Sequence, residues 1–405
     1  MSFQQGLSGL NAAAKNLDVI GNNVANSNTS GFKQGVAVFG DVFAASLAGG
    51  GGTQVGIGTQ ISGVNQQFTQ GNISLSNNPL DIAINGQGFY RMSDNGAINY
   101  TRNGGFSVDK NGYIVSSRGQ NLTGFQAVNG AIVPGVLANL QLSSADLLPQ
   151  ATSAAGIGAN LASTDALLPT AGFNAADPAT YNFSTASTCY DSLGQSHTMT
   201  LYFNKTAANV WDSNVYIDSA AANGAGVSTL TFDAQGVLST ATPPTNLVKT
   251  FALANGAAAL SITMDYGKMT QFGSGFGVNS LSQDGFASGQ LSGYNIGGDG
   301  IILGRYTNGQ SQKLGQVALS NFVNPQGLSP LGDSMWAESA ASGIPLTGAP
   351  GTASLGAVQS GAKEDSNVDL TAELVNMITA QRVYQANAQS IKAQDAMLQT
   401  LVNLR

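Results

Sequence analysis

Residues 370–405 read LTAELVNMITAQRVYQANAQSIKAQDAMLQTLVNLR, and their periodicity sets the architecture. Leu370, Leu374, Met377, Gln381, Tyr384, Ala388, Ile391, Asp395, Leu398 and Val402 follow one another in alternating steps of four and three. This is the a/d stepping of a helix that needs a helical partner. At about 1.5 Å per residue such a helix is about 50 Å long, ordinary for a coiled coil and unusual for a globular helix. The other end of the chain steps the same way, through Phe3, Leu7, Leu10, Ala14, Leu17, Gly21 and Val24. The two seams predict ends that pair with each other or with neighbouring copies. An intrachain helical hairpin within a globular protein would show the same spacing.

Two details favour many partners over one. Gln381 and Asp395 interrupt the last seam, and the outer faces carry few of the Glu/Lys pairs that support a lone helix. Neutral amides stand there instead, among them Asn376, Gln385, Asn387, Gln389, Gln394, Gln399 and Asn403. Such a helix suits packing among several others, or facing a polar lumen. Ser366, three residues before Asp369, predicts the N-terminal cap, with Asp369 and Glu373 placing negative charge in the first turn.

Between the ends the apolar period falls to two. Ile82/Ile84, Phe89 to Met92, Ile98 to Thr101 and Tyr113 to Val115 predict short strands, and Asn95-Gly96, Asn111-Gly112 and Asn129-Gly130 predict turns. A second strand pattern runs from Ser187 to Met264. From 285 the pattern of residues 82–125 returns: Arg305-Tyr306-Thr307-Asn308-Gly309 echoes Tyr100-Thr101-Arg102-Asn103-Gly104. The expected fold is therefore mostly β with long terminal α-helices, as a nested multidomain chain. A terminal helical coiled-coil domain (1–27 and 364–405) encloses an inner β domain (71–139 and 284–357). That domain encloses an outer one (140–283). Residues 28–70, with their Gly49–Gly52 run, and 358–363 read as linkers.

Only 9% of residues are charged, against about 25% in ordinary soluble domains. Surfaces so poor in charge repel one another weakly, which suits a polymer. The net charge of −7 argues against a nucleic-acid partner or an anionic membrane. No run approaches the roughly eighteen apolar residues of a membrane span. Residues 1–25 lack the basic start and continuous apolar core of a secretory signal. Cys189 is the only cysteine, which excludes an intrachain disulfide and a cysteine-based zinc site.

No catalytic, metal or cofactor site emerges. Gly273-Ser-Gly275-Phe-Gly277 lacks the Lys-Ser/Thr of a phosphate loop and reads as a plain loop. His197, the only histidine, follows the turn Asp191-Ser192-Leu193-Gly194 and reads as structural or solvated. Trp211 and Trp336 read as core or interface aromatics.

Ser8-Gly-Leu-Asn-Ala-Ala13 through Leu17-Asp-Val-Ile-Gly-Asn-Asn-Val-Ala-Asn26, followed by Gly31-Phe32-Lys33, looks like the N-terminal motif of the flagellar axial proteins. Ser366-Asn-Val-Asp-Leu370 to Gln381-Arg-Val-Tyr-Gln385 is similar to their C-terminal motif. In the middle, Tyr306-Thr-Asn-Gly-Gln310, Leu314-Gly-Gln316, Asn321-Phe322 and Trp336 to Gly343 look like the hook-type segment. Asp191 to His197 resembles the opening of the hook outer domain. The chain thus resembles the bacterial flagellar hook protein family, within the wider group of rod and hook axial proteins. The resemblance implies a curved, hollow helical homo-polymer outside the cell, a universal joint transmitting torque from rod to filament, without enzymatic activity. It implies rod and hook–filament junction proteins at the polymer's ends. A hook cap and the flagellar type III export apparatus would act during assembly, without a cleaved signal peptide. Phe39-Gly-Asp-Val-Phe43 matches the export-gate pattern, Phe-x-x-x-hydrophobic. The rival readings are another axial protein, such as a distal-rod subunit, and a secreted β-rich binding protein with helical ends.

Overall fold

Among the described residues, an α-helix stands at each end and strands dominate the regular structure between them. In the computed structural model, residues 2–42, 56–143, 145–168, 170–218, 220–221, 227–242 and 246–403 are described. Helix α1 is Ser2–Ala25 and helix α2 is Leu370–Asn403. The chain separates into two units, 1–143 with 293–305 and 311–405, and 144–292 with 306–310.

In the first unit, α1 and α2 lie antiparallel. A Cβ at Gly6 would sit 3.0 Å from Ile391 Cγ1, one at Gly9 3.0 Å from the Asn387 amide, and Asn23 bonds Glu373. Asp369, not the expected Ser366, caps α2: its Oδ1 accepts from the backbone N–H groups of Thr371 and Ala372 at 2.9 and 3.1 Å. The carboxylate, one residue from the first helical turn, reaches its unpaired amides, and Ser366 is too far back to do so.

Residues 28–70, expected as a linker, hold an antiparallel hairpin of β1 (Gly35–Val42) and β2 (Gly58–Gln66). The hairpin is anchored to α1 at both ends. Asn23 exchanges two hydrogen bonds with the Gly35 backbone, donating at 2.8 Å and accepting at 2.9 Å, and Ser8 Oγ accepts from Thr59 N. The Gly49–Gly52 run lies outside the described residues. The rest of the unit is a β body whose largest sheet includes, in order, Ser311–Val317, Asn121–Val128, Phe89–Asp94, Ala97–Thr101 and Met335–Ala337. Its core gathers Ile82, Ile84, Tyr90, Met92, Leu122, Ile302 and Val317. A second, aromatic core packs Phe68, Phe89, Tyr100, Phe322 and Trp336 edge to face, with Phe68 and Trp336 ring centroids 5.4 Å apart. The returning chain pairs Ala357–Ser360 with Ile82–Asn85 and Ala362–Glu364 with Ile73–Leu75.

The second unit packs a five-stranded sheet and a six-stranded sheet on one core. Alternation decides which side chains enter it: Met199, Leu201 and Phe203 of the strand Ser196–Ala207 point inward, while Thr198, Thr200 and Tyr202 do not. Trp211 is fully buried and donates to Gln271 Oε1 at 3.0 Å. Residues 273–276 form the loop between the strands Thr270–Phe272 and Gly277–Gln283.

Candidate assembly face and the clasp at its base

The helix pair uses the predicted seams only in part: Ile391 packs on Gly6, but the most buried positions lie elsewhere. The buried positions of α1 are Gly6, Ala13, Ile20 and Asn23, and those of α2 are Glu373 and Ala380. The stripe keeps a step of seven but lies one residue before Leu7 and Ala14, and before Val24. One residue is a turn of about 100° around a helix. The leucine rows are thereby rotated toward the edge of the pair. Phe3 and Leu7 are 47% and 44% exposed, and Leu10, Leu17 and Val24 are half-buried. On α2, Leu370, Leu374, Tyr384 and Leu398 are exposed, while Met377 and Ile391 are half-buried. Val402 lies in the helix, with its side chain outside the described residues.

Small residues make this pairing close. At Gly9 any side chain would meet the Asn387 amide, so the backbones approach to a distance that leucines would prevent. The register, Gly6 to Ile391 and Gly9 to Asn387, brings the start of α1 level with about residue 395. Beyond it α2 continues with no other helix beside it among the described residues, and Met397 and Leu398 are 61% and 55% exposed. Between the helices and β1 lies a cavity of 630 Å³, lined among others by Ala12, Val19, Val36, Phe39, Thr379 and Val383. Phe39 of the export pattern is 37% exposed on β1, and Phe43 lies outside the described residues.

At the base of the helices the two chain ends are fastened by buried charge. Lys33 Nζ lies 2.6 Å from Glu364 Oε1 and donates to the Thr69 carbonyl at 2.7 Å. Arg102 reaches the other Glu364 oxygen at 2.9 Å and donates to the Gly86 and Gly88 carbonyls. The backbone N–H groups of Gly31 and Gly71 bond the carbonyl and carboxylate of Glu364. Burial lowers the Lys33 ammonium below its ordinary value, against the pull of Glu364. One layer further, Gln34 donates to Glu373 at 2.6 Å, and Asn367 accepts from Gln34 N while donating to the Gln67 carbonyl. Two of the three glutamates of the chain are thus buried in fasteners.

These contacts explain the Gly31-Phe32-Lys33 motif. Gly31 has φ +71°, and a Cβ there would lie 2.6 Å from Asn103 N. Only glycine lets the chain turn so tightly against Arg102 and aim Lys33 at Glu364. The sequence reading missed Glu364 and Arg102. Their one available signal was the scarcity of glutamate in a charge-poor chain.

Two helical ends fastened around a β body, with apolar rows left partly exposed at the edge of the helix pair, define an axial subunit of the flagellar rod-and-hook class. Residues 3–33 match the family described as Flagella basal body rod protein, and residues 359–404 the Flagellar basal body rod FlgEFG protein C-terminal family. Residues 83–151 match the Flagellar hook protein FlgE/F/G D1 domain, and 160–286 the Flagellar basal body protein FlaE D2 domain. The chain is 42% identical over 413 aligned positions to the flagellar hook proteins FlgE of Salmonella typhimurium and Escherichia coli, covering 100% of both chains each time. It belongs to the flagellar hook protein FlgE family. The crystal structure of Helicobacter pylori flagellar hook protein FlgE2 shares the fold, with a TM-score of 0.53 at 14% identity, over 72% of this chain and 99% of that one.

Proposed function

We propose that this chain assembles through its terminal helices into the curved, hollow homo-polymer of the flagellar hook, the universal joint between rod and filament. The observation that carries the mechanism is the apolar surface left on α1 and α2 after they have paired. Phe3, Leu7, Leu370, Leu374 and Leu398 keep 44–55% of their surface exposed within their own chain. A side chain of this kind contributes up to about 1.5–3 kcal/mol when fully buried. Association also costs translational and side-chain freedom, so several must be buried together. Neighbouring subunits supply that burial, with the α2 overhang reaching past the chain's own α1.

In this reading residues 1–27 and 364–405 form the inner tube, 71–139 with 284–357 an inner β layer, and 140–283 an outer one. Contacts poor in charge and rich in amides and hydroxyls exchange at low cost, so spacings can change as a bent hook rotates. The polymer meets rod and junction proteins at its ends, and a hook cap guides its growth. The subunit leaves the cell unfolded through the flagellar type III apparatus, which engages Phe39 to Phe43. It catalyses no reaction.

Sedimentation and electron microscopy of the purified chain test the proposal. Curved hollow tubes forming above a critical concentration are the expected result. A chain that stays monomeric at every concentration overturns it.

A further inference from the structure

The only histidine sits between two carboxylates at one end of the second unit. His197 Nδ1 is 2.5 Å from Asp218 Oδ2, and Nε2 is 3.2 Å from Asp191 Oδ2. Asp191 is fully buried and holds three elements at once. Its Oδ1 accepts from Leu193 N and Gln195 N of its own turn, and its Oδ2 accepts from the Asn255 amide. Asp218, in the turn after the strand Val210–Ile217, accepts from Thr198 N through Oδ1.

The 191–195 turn is packed on the neck, the two paired segments near the ends of the 144–292 stretch. Leu147 and Gly289 exchange backbone hydrogen bonds there, as do Gln150 and Phe286. A Cβ at Gly194 would lie 2.8 Å from that of Pro149 and 3.4 Å from Ser288 N. Tyr190, just before the turn, exchanges two hydrogen bonds with Thr152.

We propose that His197 is a protonation-controlled latch on this neck. The imidazolium ties Asp191 and Asp218 together and so fixes the turn that packs on both segments. Loss of its proton leaves two carboxylates facing each other across a neutral ring, and the turn loosens its hold. Asp191 and Asp218 are the charged groups set against the ring among the described residues. Cys189, on the neighbouring strand, donates to the His197 carbonyl, but burial pushes its thiol up to about 11 and keeps it neutral.

The charge states agree with this geometry. Burial works to lower the His197 pKa, and the hydrogen bonds to Asp218 and Asp191 outweigh it, raising the group above 6.5. Burial works to raise the Asp191 carboxyl, and donors from His197, Asn255, Gln195 and Leu193 hold it down at about 2. Stabilisation from a raised histidine is complete below its unfolded pKa and disappears as pH rises through its folded one. Stabilisation from the depressed aspartates is lost only in strong acid. The latch is closed between those limits and opens on the alkaline side.

Because His197 is unique, one 13C-labelled histidine signal of the full chain reports its titration, and hydrogen exchange of the same sample reports the turn and neck. The expected midpoint is above 6.5. Amide protection at Gln195, Thr198, Gln150 and Phe286, corrected for intrinsic exchange, should be lost in part as pH passes through it, since the raised histidine stabilises the turn only while protonated. His197→Gln should remove the pH dependence, and Asp218→Asn should move the midpoint down. A midpoint at or below 6.5 overturns the proposal. So does protection that is flat with pH in the unaltered protein, or a step that persists in His197→Gln. Should the glutamine variant not fold, the titration and exchange of the unaltered protein decide alone.

Discussion

Lys33 and Glu364 stand 331 positions apart in the chain and 2.6 Å apart in space, with both side chains fully buried. The pair joins the segment leaving α1 to the strand that leads into α2. A buried ion pair contributes little net stability against an apolar replacement, yet removing one partner leaves an uncompensated charge. Here the anion is shared by two cations, so Glu364 is the side chain whose loss matters most.

Glu364→Gln should therefore destabilise the first unit by about 3–5 kcal/mol, the usual cost of stranding a buried charge. Denaturant unfolding read by circular dichroism measures it. A change under about 1 kcal/mol would show that the clasp is relaxed by water or by rearrangement.

Gly31→Ala and Gly21→Ala should have opposite signs. At Gly31 a side chain meets the backbone of Arg102 and Asn103 at a positive φ, so destabilisation should exceed the roughly 1–2 kcal/mol of left-handed strain alone. Gly21 lies inside α1 with open space around its missing Cβ, and alanine there should stabilise by up to about 1 kcal/mol through helix propensity. Equilibrium unfolding of the two variants gives the comparison.

Leu374→Asp should abolish polymerisation and leave the monomer's circular dichroism unchanged, because Leu374 is 44% exposed and outside the intrachain helix contact. Pelleting assays and electron microscopy read the outcome. Normal tubes from this variant would mean that the exposed row of α2 is not an assembly surface.

Cys189 should react with a thiol reagent only on unfolding. It is fully buried, and its thiol is pushed up to about 11, so both access and thiolate are lacking at neutral pH. Labelling rates across a denaturant series should follow the unfolding of the second unit. Fast labelling of the native chain would reveal local opening around the strand Phe183–Tyr190.

Element type was legible wherever a side-chain period repeats locally. The step of 3.5 marked α1 and α2, and alternation marked strands such as Ser196–Ala207. The β1–β2 hairpin was not legible, because its exposed valines and flanking glycines resemble a linker until Asn23 and Ser8 anchor it to α1. The cap moved from Ser366 to Asp369 because the choice rests on the path of the backbone, not on residue type.

The sequence by itself determined that both ends are helices with an apolar stripe, and that the middle is β. Local periodicity is enough for that, since it depends on residues a few positions apart. Which stripe faces inward was decided only in three dimensions. Gly6 and Gly9 let two backbones approach closely, and the antiparallel register then left much of the apolar rows exposed. The clasp of Lys33, Arg102 and Glu364 belongs to the same class. Buried charges find each other through the fold, across separations that no local pattern records.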